Sequence, residues 1–392
     1  MMILVFCANH SALIRHFGSQ MTPSGSAAPL YVVTRLAPQF DQAVVFLPGA
    51  KGERDGSLLP SHVKLVSVPK NIVGRYLWQA VAGFCYSIFN ISQEKIYYGM
   101  GYQAPLAYFF SKVFFGRSVG RFFGTFLFGH LVNGRVAMAN MSFKRLFEYI
   151  CMRLPYDLTI CTNDGTGGDA VMAALGKGGA KSWVPLNGVD DVIAAPPAES
   201  IKEFMGGGGV KFVSVSRLAK WKRIDLKLHF FARIIRQPGF SDSRLVVVGA
   251  GKVHDELLSL RSDLGLDECV HFVGSQPPEM VRWIMSRSDF FLSFYEAGNV
   301  GNTLLEALAE GCVPVLRSTG TTEDFAHGLS RCITLPKDEH LLIQSGESAE
   351  LAHRLRELRR CGFPNSCSAS PVGTWDERMS DERQRLVSLF NR

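Results

Sequence analysis

Short apolar runs recur along this chain, and stretches with helical spacing separate them. In the second half they are VKFVSVS (from Val210), SRLVVVGAG (from Ser243), CVHFVG (from Cys269), SDFFLSFY (from Ser288) and CVPVLRS (from Cys312). In the first half they are MILVFC, QAVVFLP, VKLVSVP, KIYYGMG and YDLTICTND, with PLYVVTRLA helical after the loop TPSGSA. Strands that alternate with helices build parallel sheets joined by crossover helices. Two such series predict two doubly wound, Rossmann-like α/β domains.

The chain has 392 residues, more than one ordinary core accommodates and enough for two domains of roughly 150–200 residues each. The prolines Pro185, Pro196 and Pro197 punctuate Lys181–Ser200, and the glycine run MGGGGV follows. The expected division is 1–190, 191–372, and a charged terminal helix with an apolar stripe in 373–392 that returns to the first domain.

The net charge of +7 is uneven. Residues 1–195 hold 17 Lys and Arg against 10 Asp and Glu, and residues 196–392 hold 25 of each. A basic half beside a neutral one suits an anionic partner: a membrane surface, a phosphorylated acceptor or nucleic acid. No nucleic-acid recognition module is present, so nucleic acid is not expected. The nine cysteines are scattered with no metal-ligand spacing, which reads as reduced thiols in a cytosolic protein and no metal site. The opening MMILVFCANHSAL lacks a basic n-region and a small-residue cleavage site, and reads as a first buried strand rather than a signal peptide. Tyr76–Ile91 is apolar but too short for a membrane span of about 20 residues, and predicts a buried or membrane-facing helix. In Phe109–Arg135, aromatics interleave with Lys112, Arg117, Arg121 and Arg135. That mixture fits a helix lying on anionic lipid or reaching a lipid-linked acceptor, and equally a strand and helix core with cationic ends.

Ligands of open α/β sheets collect at the carboxyl ends of strands, and three segments place polar residues there. In SVSRLAKWKRIDL, Arg217 and Lys222 follow a strand, and two cations there suit a diphosphate or simply a solvated helix start. In CVHFVGSQP, the turn after the strand can offer backbone groups to a base edge. In SFYEAGNVGNTLLEALAEG, Ser293–Gly311, Gly301 allows close backbone approach, and a helix beginning near Thr303 offers N–H groups to a phosphate. Glu306 is either an acceptor for ribose hydroxyls or an exposed helix carboxylate. VVVGAG lacks the third glycine of a dinucleotide fingerprint.

In order and spacing, these segments resemble glycosyltransferase family 4, the retaining GT-B enzymes (glycosyl transferases group 1). The resemblance spans residues 155–325, through SVSRL…K…DL, VVVGAG, LGLDECVHFVG, SDFFLSFYE and GNVGNTLLEALAEGCVPV. Upstream, NGVD, RFFGT and YDLTICTNDGTGGD also fit. The resemblance implies two domains facing across a cleft, the donor on the second and the acceptor on the first. It implies that Arg217 and Lys222 hold the donor diphosphate and that Glu306 takes the ribose hydroxyls. Gly301, Asn302 and Thr303 would lie by the sugar and phosphates, and His271 and Val273 would flank the base. The family often carries paired glutamates eight positions apart. Here Gly298 stands eight before Glu306, and Glu296 ten before is the candidate for the catalytic role, with Arg217 and Lys222. The family histidine of the first domain is replaced by Phe123 and Gly124 in RFFGTF; His130 and His10 are the nearby candidates.

The implied activity is transfer of a sugar, with retention, from a nucleoside-diphosphate sugar to a cell-surface glycan or lipid-linked acceptor, as in polysaccharide or lipopolysaccharide biosynthesis. The donor is a substrate and no cofactor is implied. The expected location is cytoplasmic, peripheral on the inner face of the plasma membrane. The alternatives are a sugar-nucleotide epimerase of similar double-Rossmann plan and a nucleotide-sugar-binding protein that has lost turnover.

Overall fold

The computed structural model describes residues 2–8, 28–48, 59–68, 72–338, 348–360 and 372–391. The chain divides into two units, Met1–Asn187 with Trp375–Arg392, and Gly188–Thr374. His10 lies outside the described residues.

The first unit holds β1 (Met2–Cys7), β2 (Gln42–Pro48), β3 (Val63–Val68), β4 (Glu94–Met100), β5 (Arg117–Phe122), the short hairpin β6 (Leu131–Val132) and β7 (Arg135–Val136), β8 (Leu158–Cys161) and β9 (Ser182–Trp183). Seven of these form one parallel sheet in the order β3-β2-β1-β4-β5-β8-β9. Both faces are covered, which is why β1 reads as an unbroken apolar run: Leu4 and Phe6 enter one core, and Ile3, Val5 and Cys7 the opposite one.

Residues 109–135 are not one lipid-facing helix. A helix ends at Val113, and β5 then crosses the middle of the sheet with Arg121 fully buried. That guanidinium lies 4.6 Å from the Phe123 ring and donates to the Phe122 carbonyl. The lipid reading therefore does not hold for residues 117–122.

The terminal helix Trp375–Ser388 is charged overall, yet it buries Trp375, Met379 and Leu386 against Phe6 and Tyr98 in the first unit's core. Buried Glu382 accepts a hydrogen bond from Tyr98 Oη and pairs with Arg378 at 2.8 Å.

The second unit holds β10 (Lys211–Val215), β11 (Arg244–Val248), β12 (Val270–Phe272), β13 (Phe290–Ser293), β14 (Val313–Arg317) and β15 (Ile333–Leu335). All pair in parallel in the order β12-β11-β10-β13-β14-β15. Chain order runs outward in one direction from β10 and in the other from β13. The topological switch point therefore lies between β10 and β13, where a ligand crevice forms in such sheets. Alternate residues of each strand enter the two flanking cores: Phe212 and Leu245 on one side, Val213 and Val246 on the other.

Candidate functional site

The loops after β10 and β13 meet at that switch point, where the Glu296 amide donates to the Trp221 carbonyl at 3.0 Å. The loop after β10 leans on the loop after β11: the Ser216 amide donates to the Val248 carbonyl, and the Leu218 amide to the Ala250 carbonyl, both at 3.0 Å. This contact explains the two glycines of VVVGAG. A Cβ on Gly249 would sit 1.9 Å from the Ser216 carbonyl oxygen, and one on Gly251 2.1 Å from that of Leu218. Gly249 also has φ +131°, a region L side chains rarely adopt. The glycines set the position of the loop that carries Arg217.

Arg217 is exposed on that loop. Lys222 ends a 3-10 turn, and its ammonium lies 3.4 Å from the Tyr295 ring centroid and 4.0 Å from that of Trp221. An ammonium over two aromatic faces is held in place by them. Tyr295 is buried, and its hydroxyl donates to the Val215 carbonyl at 3.1 Å. The side chains of Thr303, Ser216 and Ser293 lie about that hydroxyl. Lys222 and Thr303 thus meet the same tyrosine from different elements. Beneath it, Lys227 is fully buried, with its amine donating to Ser214 Oγ at 2.8 Å. Burial, then Lys222, holds Lys227 well below the ordinary lysine range.

The loop 294–301 is shaped by Asn299, which is fully buried. Its Oδ1 accepts from the Tyr295 amide and from Ser293 Oγ, and its Nδ2 donates to the Tyr295 and Arg317 carbonyls. Gly301 caps the helix Asn302–Ala309, and a Cβ there would meet only the Gly298 carbonyl, at 3.8 Å. The first turn of that helix aims its N–H groups out of the sheet end.

Glu306 lies one turn further along. Burial pushes its carboxyl up to about 7; Arg282 opposes the shift, and Asp190 and Glu310 add to it. Arg282 is itself buried. Its Nη1 donates to the Glu306 carbonyl at 3.0 Å and lies 3.3 Å from the Glu310 carboxylate, and its Nη2 donates to the Asp190 carbonyl. It ties NGVD to the Glu306 helix.

Glu296 is exposed and 4.0 Å from Arg223. Arg223 has a left-handed backbone, φ 48°, and grips Asp225 through the Nε–Nη2 edge of its guanidinium. A cavity of about 280 Å³ opens beside this trio, against Val253, Glu256 and Leu257. It touches neither Arg217, Lys222 nor Glu306. His271 lies on β12, at an edge of the sheet, with its ring edge-on to Phe204 at 5.1 Å. Burial, then Arg261, lowers its pKa. The Val273 amide donates to Val247 and its carbonyl accepts from Gln276.

In the first unit the loop after β5 is held by Glu148, which accepts from Thr125 Oγ1 and the Phe126 amide, both at 2.9 Å. It is tied to the loop after β8 by the Thr125 amide, which donates to Thr166 Oγ1 at 2.9 Å. His130 lies past this point, in the 3-10 turn Phe128–His130 before the small hairpin. Lys227, Arg282 and Glu148 carry no motif signal, and Tyr295 and Asn299 lie in matching segments without being singled out there. Each is defined by a partner distant in sequence or by burial.

Two parallel-sheet α/β units with this strand order define the GT-B fold. Anabaena Alr3699/HepE in complex with UDP-glucose shares it over 99% of this chain and 97% of that one, with a TM-score of 0.58 at 17% identity. WaaG, a glycosyltransferase involved in lipopolysaccharide biosynthesis, shares it over 99% and 97%, with a TM-score of 0.58 at 14% identity. Residues 209–360, within the second unit, match the family model of glycosyl transferases group 1. The N-acetyl-alpha-D-glucosaminyl L-malate synthase of Bacillus anthracis is 31% identical over 153 residues, which are 35% of this chain and 39% of that protein. The chain therefore spans about two fifths of the length of this curated relative.

Proposed function

We propose that this protein is a retaining glycosyltransferase that moves a sugar from a nucleoside-diphosphate sugar to a glycan or lipid-linked acceptor. The observation that carries the reading is the switch point of a group 1 domain with a cation on an aromatic shelf, a helix N-terminus and a half-buried carboxyl around it. In this reading Lys222 and Arg217 hold the diphosphate, with Gly301, Asn302 and Thr303 beside it. Glu306 takes the ribose hydroxyls, and His271 and Val273 flank the base.

The bond from the anomeric carbon to the diphosphate breaks, and its electron pair leaves with the diphosphate. Negative charge grows there, and in this reading Arg217, Lys222 and the helix N–H groups stabilise it. The acceptor hydroxyl attacks from the same face and its proton passes to the leaving phosphate. Glu296 stands ready to stabilise the sugar once its loop moves off Arg223. The donor is a substrate, and the reaction as drawn needs no resident cofactor. The enzyme works in the cytoplasm, on the inner face of the plasma membrane. Lipopolysaccharide-type acceptors are supported by the stated role of WaaG. The epimerase alternative is not favoured, because the family model and the named relatives are transferases and synthases.

The test is thermal stabilisation by a panel of nucleoside diphosphates, since a ligand that binds only the native state raises its melting temperature. A shift with one nucleotide, lost in Arg217→Ala and Glu306→Ala, identifies the donor base. No shift with any nucleotide sinks the site. Donor hydrolysis in the same samples separates an enzyme from a protein that only binds.

A further inference from the structure

The helix Ile72–Phe89 of the first unit is patterned inside out. Its inward face carries Gln79, Gly83 and Ser87, with Ala80 and Tyr86 packed beside them. Gln79 is fully buried and donates to the Ala8 and Phe46 carbonyls at 3.0 and 3.1 Å. Ser87 is buried against Tyr97 Oη, and Gly83 lies against the Phe110 ring. Its outward face is apolar and bare: Leu77, Val81, Phe84 and Ile88 follow one stripe, with Trp78 beside them. Leu77 is 65% exposed and Phe89 86%.

The neighbouring helix Ala104–Val113 packs on the same side of the sheet through Phe110 and Phe114, the latter 5.1 Å from Phe84. It adds outward Phe109 and Val113, and Phe115 just beyond it is 95% exposed. A contiguous apolar patch of this kind on a folded surface marks a docking face. No helix among the described residues is long and apolar enough to cross a membrane.

Charge selects the occupant. Residues 56–147, which contain both helices, hold ten lysines and arginines and a single acid, Glu94; of the ten, Lys95 and Arg121 are buried and do not contribute to the surface. Exposed Lys112 stands on the helix between Phe109 and Val113. Bulky apolar side chains with cations interspersed and acids excluded are what an anionic lipid surface selects. A second copy of the chain would bring two cationic surfaces together.

We infer that the outward face of helix Ile72–Phe89, with Phe109, Val113 and Phe115, lies in the interface of an anionic bilayer. This gives the inner-face location proposed above a surface and rests on that location, though not on the donor site.

The experiment is co-sedimentation of the full chain with phosphatidylcholine vesicles, with and without phosphatidylglycerol, for wild type and for Leu77→Ser/Val81→Ser/Ile88→Ser. The substituted side chains already face water, so circular dichroism and the melting temperature should stay at wild-type values. Wild type should bind the phosphatidylglycerol vesicles, less so in high salt, and the triple variant should lose at least about tenfold in partitioning. Trp78 fluorescence should shift to the blue on binding and be quenched by brominated lipid. Nucleotide-dependent stabilisation should be the same in both proteins, so failure here and failure of the donor site are read separately. Three results overturn the inference: no binding to phosphatidylglycerol vesicles, equal binding by the triple variant, or a wild-type dimer that the triple variant breaks. The last would assign the face to a second copy.

Discussion

Glu306 illustrates what environment does to one side chain. Its carboxyl is raised to about 7 by burial, so the folded chain keeps the proton over a range where the unfolded chain has lost it. The stability this contributes is present below the ordinary carboxylate range and is lost as pH rises toward about 7. Glu306→Gln should therefore melt higher than wild type near about pH 8 and match it near about pH 4. Equal melting at both would remove the burial account. If Glu306 accepts ribose hydroxyls as a carboxylate, nucleotide affinity should also rise across the same range in wild type and stay flat in the Gln variant. Asn299 is the other decisive residue. Four hydrogen bonds converge on a fully buried amide, and Asn299→Ala should cost about 2–3 kcal/mol by denaturant titration. Neither effect was legible in the sequence. Glu306 stood out as an acid in a glycine-rich turn, but its elevated pKa comes from burial by helix packing, with Asp190 and Glu310 adding to it against Arg282. Asn299 looked like one more polar loop residue.

At the scale of elements, the loop after β10 is positioned by the glycines after β11 rather than by its own composition. Gly249→Ala and Gly251→Ala each place a methyl within about 2 Å of a carbonyl oxygen of the Arg217 loop. The loop must shift, and nucleotide affinity measured by calorimetry should fall at least about tenfold while circular dichroism stays that of a folded α/β chain. Unchanged affinity would show that the loop's position is immaterial. A GxG run after a strand invites a dinucleotide reading, and the structure gives it a packing role instead. The terminal helix is the converse case. Its sequence is dense in charge, yet Trp375 is buried in the first unit's core. Trp375→Ala should cost about 3–5 kcal/mol by thermal or denaturant unfolding, and a loss near zero would mean that the helix does not dock. Strand β5 was missed because RSVGRF, with two arginines and a glycine, has no apolar run. Its Arg121 is buried because Phe123 and the Phe122 carbonyl receive the guanidinium, partners that only the folded turn supplies.

For the whole molecule, the two units differ in how they are cut from the chain. The second is continuous, Gly188–Thr374, whereas the first needs Trp375–Arg392 to complete its core. Residues 188–374 alone should fold and keep nucleotide-dependent stabilisation, whereas residues 1–187 alone should aggregate until the terminal helix is supplied in trans. A stable, monomeric 1–187 would contradict the core described for that unit. The sequence by itself determined the architecture. Strands of a parallel sheet are buried on both faces, so most read as apolar runs, and that pattern shows in the chain without any partner being known; β5 is the exception. It also determined which segments gather at the sheet's carboxyl end, since chain order and parallel pairing place them there. Only the tertiary structure decided the particular contacts: Lys222 on Tyr295, Lys227 buried beneath it, Arg282 joining Asp190 to Glu306, and an apolar helix turned outward. Burial, ring faces and pKa values depend on neighbours far apart in the chain, and a helix's periodicity is the same whichever side it presents to water.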